Sequence, residues 1–334
     1  MLLRRGFSSG ADQAEPLALI RHILISLCRG CLVAACLMQP VAASPSDEHA
    51  EAEPPQQIIL WYRNYDSPAI HALLDLALQK TPEYGLYTIV RSPEMNQGRA
   101  LRELASDRSR SVQVANVATT PEREDNLLAV TIPIDGGLLG YRVCVTTKDM
   151  LPRFKGITRL ADVRERRIRF GQGRHWPDTK ILEANGLDVV THPGFENLFD
   201  MLEGGRFECF ARGVSEVYYD LKLRSDKNLV IEPTLLFTYT MPNYFFVGRS
   251  DFGLAVRIQL GLERAIADGS FADFMHAYYT RPVQALHLSD RHVFHLGNPW
   301  LPGGMLGIGK DVLQNMKVRI QLGEEPVSRA SPIQ

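Results

Sequence analysis

From Ile58 onward the apolar positions switch between two spacings, and the switching names the elements. Apolar runs at Ile58 to Tyr62, Leu86 to Val90 and Val112 to Ala115 predict strands. Ser67-Pro68 opens a helix whose Ile70, Leu73, Leu74, Ala77 and Leu78 fall on one face, and a second helix is expected around Gly98 to Ser106. An apolar strand at Val130 to Pro133 ends in proline. Strand and helix in alternation predict a parallel sheet with helices on its faces.

After Lys148 the pattern restarts. Arg167 to Phe170 reads as a short strand, and the turn from Gly171 to Trp176 leads into a helix with Pro177 near its start and Asn185-Gly186 at its end. A further helix carries Leu198, Phe199, Met201 and Leu202 and stops at Gly204-Gly205, before a strand from Phe207. Tyr244 to Val247 is a strand, and Ser250-Asp251 caps a helix with Ala255, Ile258, Leu262, Ala265 and Ile266 on one face. The chain thus reads as two α/β units with no internal repeat or low-complexity tract.

The first 43 residues differ from the rest: basic residues up to Arg29, an apolar stretch from Cys31 to Met38, then small residues ending at Ala43. This predicts a signal peptide at 1–43, too short in its apolar part for the ~20 residues a membrane-spanning helix needs. A competing reading lipidates Cys36 and retains the chain on a membrane. Either reading exports the protein to the periplasm. Residues 44–57, with Pro45, Pro54 and Pro55 among acidic residues, read as a solvated linker.

Composition narrows the partners. With 334 residues, 45% of them apolar, the chain can bury a sizeable core, and a formal charge of -1 leaves no field to hold nucleic acid. Of five cysteines, three lie in the leader; Cys144 and Cys209 sit in separate strand-like runs, which predicts two buried free thiols. His287, His292 and His295 match no metal spacing, so no metal or cofactor is expected. Trp61, Tyr62 and Tyr65 suit either a ligand-stacking wall or the alternating face of a buried strand.

The stretch Thr120-Pro121-Glu122-Arg123 places one arginine beside the proline-ended strand, where a guanidinium fork can grip a carboxylate through two parallel hydrogen bonds. With the looser Leu160-Ala161-Asp162-Val163 step, the Leu202 to Glu208 helix stop, Tyr244 to Val247 and Asp268-Gly269-Ser270-Phe271, this order of motifs resembles the type 2 periplasmic solute-binding proteins of ABC transporters, family 3, in the branch that binds polar amino acids. The resemblance covers roughly Ile58 to Tyr279, although Ile134 stands where the family has an aromatic residue.

It implies an α/β fold of two lobes, each a mixed sheet flanked by helices, joined by a hinge. The first lobe would span 58–147 and 238–296, the second 148–237, with a C-terminal extension at 297–334. It further implies a monomer that captures a small anionic or zwitterionic solute by lobe closure and passes it to an ABC permease. Arg123 would hold the ligand carboxylate with help from Asn116 and Thr120. Tyr65 would form a wall, and Gly173, Arg174, His175 and Trp176 would meet the ligand from the second lobe. Where the family places an aspartate for the ligand ammonium, this chain has Arg212-Gly213. Arg123, Arg174 and Arg212 could therefore converge on an anion, with Glu216 offsetting one of them. Two other readings stay open: an exported dehydratase-like enzyme with His175 or Glu216 as acid or base, and a ligand-sensing module for a membrane receptor.

Overall fold

Twelve strands in two mixed sheets frame the described part of the chain, residues 54–106 and 111–301 of a computed structural model. The expected leader, most of the linker and the C-terminal extension beyond residue 301 lie outside the described residues. In chain order the strands are β1 (Gln56–Leu60), β2 (Tyr87–Arg91), β3 (Val114–Ala118), β4 (Leu128–Val130), β5 (Tyr141–Thr147), β6 (Phe170–Gly173), β7 (Val189–His192), β8 (Cys209–Gly213), β9 (Leu229–Ile231), β10 (Leu235–Thr238), β11 (Asn243–Val247) and β12 (His292–His295). One sheet has the order β2-β1-β3-β11-β4; the other has β12-β10-β5-β8-β6-β7, with β9 also paired to β5. All described residues belong to one compact unit.

The expected pattern of β1, β2 and β3 in parallel holds, and β11 and β4 close that sheet in antiparallel. Helix Pro68–Gln79 buries all five apolar residues read from its spacing. It packs on helix Phe252–Ala267, whose Leu254, Ile258, Leu262 and Ala265 are buried while Ile266 stays exposed. The two helices approach so closely that a Cβ at Gly261 would lie 1.9 Å from the Ala77 carbonyl oxygen. Each leucine or isoleucine fully buried there stabilises by about 1.5–3 kcal/mol.

Several sequence boundaries move. The first strand starts at Gln56, inside the expected linker. Tyr141–Thr147, expected at the end of the first lobe, is the centre of the second sheet, where β5 pairs with β8, β9 and β10. His292–His295 also joins that sheet, parallel to β10, because Phe294 stacks 5.1 Å from Phe237 in the second core. Of its two apolar residues only Phe294 is buried, while Val293 is exposed, and so short a pattern is too weak to reveal such a strand.

Cys144 and Cys209 are not free thiols. They form a disulfide between adjacent antiparallel strands β5 and β8, with Cα atoms 4.9 Å apart. Each strand was legible alone, but their adjacency was not, since 65 residues separate the two cysteines.

Candidate functional site

The chain passes between the sheets in the segments after β4, after β10 and before β12, and a cavity of about 360 Å³ opens where the strand ends of both sheets meet. From the first sheet's side, the short helix Tyr62–Tyr65 directly after β1 brings Arg63 and Asn64 to its wall. Asn64 is fixed by β3: its side chain accepts from the Asn116 amide at 2.7 Å and donates to the Asn116 carbonyl at 3.2 Å. The Asn116 side chain in turn donates to Asn243 Oδ1 at 2.8 Å and the Tyr244 carbonyl at 3.0 Å. Asn116 therefore lines the cavity, with both side-chain hydrogens committed to β11.

From the second sheet come two buried arginines on neighbouring strands, Arg142 on β5 and Arg212 on β8. Arg142 pairs with Asp178 at 2.7 Å and donates through Nε to the Tyr239 hydroxyl at 3.1 Å, while that hydroxyl donates to Asp178. Arg212 pairs with Asp220 at 2.7 Å and Glu216 at 3.0 Å, and Glu216 also lies 3.6 Å from Arg142. Burial pushes the Asp220 carboxyl up against the opposing pull of Arg212. Burial acts on Glu216 in the same direction, but Arg212, Arg142 and Arg63 together hold it below its usual value. Asp135, only 1% exposed, accepts from the amides of Gly137 at 3.0 Å and Leu139 at 2.7 Å, and burial pushes it up to about 6.

Arg63 differs from these arginines. Its guanidinium carbon sits 3.3 Å above the centre of the Phe195 ring, reaching across the cavity, and it has no hydrogen bond or ion pair among the described residues. Burial first and the like charge of Arg212 second hold its pKa below the arginine range, with Asp220 and Glu216 pulling the other way. An arginine stacked on an aromatic face while its N–H groups stay uncommitted is prepared to receive a carboxylate.

The residues expected from sequence divide. Asn116, Trp176, Arg212 and Glu216 line the cavity. Tyr65 does not; its ring packs edge-on against His71 at 4.9 Å. Thr120 caps helix Pro121–Asn126 by accepting from the Arg123 amide at 3.3 Å. Gly173 ends β6 beneath Trp176, whose ring leaves only 2.5 Å for a Cβ there. Arg174 is exposed away from the cavity, and the His175 ring lies over Gly98.

The expected carboxylate clamp at Arg123 is corrected in the same way. Its guanidinium is buried and donates to the Ala118 carbonyl, to Gln97 Oε1 at 2.7 Å and to the His175 carbonyl at 2.8 Å. Burial draws its pKa down to about 10, and its donors tie the two halves of the molecule together. Nor do three arginines converge on one anion: Arg174 points elsewhere, Arg123 is spent on protein carbonyls, and Arg212 is neutralised by two carboxylates.

Sequence reading missed Arg63, Asp135, Arg142, Asp178, Phe195 and Asp220. A visible signal existed for Arg142, a charge inside the apolar run Tyr141 to Thr146. Arg63 stood between the aromatic residues already singled out.

No family model matches the chain, and no curated protein sequence does. Among solved structures, an ancestral arginine-binding protein bound to glutamine matches at 15% identity over 68% of this chain and 99% of that chain, with a TM-score of 0.50. A Salmonella typhimurium periplasmic binding protein of high arginine specificity matches at 14% identity over 67% and 99%, TM-score 0.49. An ancestral amino acid-binding protein, a precursor of cyclohexadienyl dehydratase, matches at 13% identity over 67% and 96%, TM-score 0.49. These likenesses are of fold: the chain has the two-lobed α/β architecture of type 2 periplasmic binding proteins, two mixed sheets flanked by helices. The structures it resembles include substrate-binding proteins of amino acid ABC transporters.

Proposed function

We propose that this chain is an exported, non-enzymatic solute-binding protein that captures a small carboxylate-bearing solute between its two lobes and delivers it to an ABC permease. The observation that carries the reading is Arg63, a guanidinium without a protein partner among the described residues, in the wall of a cavity between two sheets. A cleft between lobes with a few convergent polar groups suits capture of a small ligand by closure, and the segments joining the sheets would serve as the hinge. The first lobe is then built on β1 to β4 and β11, the second on β5 to β10 and β12. The fold's glutamine-bound relative holds an amino acid, which agrees with a ligand of this size and charge. The Cys144–Cys209 disulfide supports export, since such bonds persist in oxidising compartments.

The test is a thermal-shift screen of amino acids, monocarboxylates and dicarboxylates against the wild type and Arg63→Gln. Ligand at 100 times its dissociation constant stabilises by about 2.7 kcal/mol. A carboxylate that stabilises the wild type and not Arg63→Gln supports the reading; no shift with any carboxylate sinks it.

A further inference from the structure

Contacts between protein groups hold the two lobes against each other around the cavity. The buried Arg123 of the first lobe donates to the His175 carbonyl of the second at 2.8 Å, while its bonds to the Ala118 carbonyl and to Gln97 Oε1 at 2.7 Å anchor it in its own lobe. Beside it, Gly98 admits the His175 ring so closely that a Cβ there would stand 2.8 Å from the ring's Cγ. The Tyr219 hydroxyl of the second lobe donates to the Asp66 carbonyl of the first. Arg63 also spans from the first lobe to the Phe195 ring of the second.

Arg123 carries the most weight among these contacts. A hydrogen bond from a charged donor is about twice as strong as one between neutral groups, and this one starts from a side chain that two further acceptors already hold in place. Arg123 is not among the residues that line the cavity, whereas Gln97, which shares the same guanidinium nitrogen with the His175 carbonyl, is. It therefore acts on closure without touching a solute.

We propose that Arg123 is a latch that closes the cleft by protein contacts alone. As a positioning residue it sets the fraction of the protein whose cavity is assembled, and apparent affinity for any solute scales with that fraction. The inference rests on the two-lobed fold and is independent of which solute binds.

The test needs no ligand. The purified chain, refolded from urea and dialysed to remove any co-purified solute, is compared with Arg123→Gln and Arg123→Lys by small-angle X-ray scattering. With far-UV circular dichroism unchanged, Arg123→Gln is expected to show the larger radius of gyration through a closed-to-open ratio lowered about tenfold, and Arg123→Lys, which keeps the charge, to lie between. Equal radii in wild type and Arg123→Gln overturn the proposal. A second measurement leaves Arg123 in place: Gly98→Cys combined with His175→Cys is expected to form a 98–175 disulfide on mild oxidation with no solute added, detected as a linked peptide by mass spectrometry, and to form it more slowly once Arg123→Gln is added. If no such link forms, or if it forms at the same rate with and without Arg123, the latch is refuted. Should Arg123→Gln not fold, the presence or absence of the link in the chain that retains Arg123 decides.

Discussion

Reducing the Cys144–Cys209 bond tests the coupling between the second sheet and the cavity. The bond closes a loop of 65 residues. In the chain-entropy treatment such a crosslink restricts the unfolded chain by about 14 cal/mol/K, or about 4 kcal/mol at room temperature, before any strain is subtracted. Both cysteines are fully buried, so reductant will not reach them in the folded protein. The chain is therefore reduced in urea, refolded with reductant present, and compared with the oxidised form by urea titration. A midpoint lowered by the equivalent of about 3–4 kcal/mol is expected, against a total stability that for most domains is about 5–15 kcal/mol. The same strands carry Arg142, two residues before Cys144, and Arg212, three residues after Cys209. Reduced protein should accordingly bind the carboxylate ligand proposed above more weakly even where it remains folded. Reduced and oxidised forms of equal stability, within about 1 kcal/mol, would refute the reasoning.

Further expectations follow from the same geometry. Asp178→Asn strips Arg142 of its 2.7 Å partner in a buried site and should destabilise by about 3–5 kcal/mol in urea melts; a loss under about 1 kcal/mol would contradict the pairing described. Asp135 has a folded pKa of about 6, above its ordinary 3.8, so the fold takes up its proton more readily than the unfolded chain does. Its contribution to stability is therefore fully present below about pH 4 and lost as pH climbs through 6, by about 3 kcal/mol in all, and the slope over that range should fall by that amount in Asp135→Asn. Gly261→Ala would place a methyl group 1.9 Å from the Ala77 carbonyl and force two packed helices apart, at about 1–3 kcal/mol or more by thermal denaturation.

The elements and the site were legible to different degrees. Helix Pro68–Gln79 could be read almost to its ends, because a helix needs only a local face of apolar residues and a proline at its start. The same holds for the alternation that predicts two α/β units. Of the residues that motif order suggested, Asn116, Trp176, Arg212 and Glu216 lie together in the cavity wall. Arg123 shows the limit: its neighbours Thr120 and Pro121 describe a turn, but which acceptors a long side chain reaches depends on strands distant in sequence.

By itself the sequence determined the periodic elements and the two-unit order, since each depends on local spacing. Tertiary structure alone decided that β5 and β12 join the second sheet, that Cys144 meets Cys209, and that Arg63 rather than Arg123 is left with free donors. Those outcomes depend on which charges become neighbours after folding. Every other arginine in the cavity wall finds an acid there, and Arg63, 3.3 Å above the Phe195 ring, has none among the described residues.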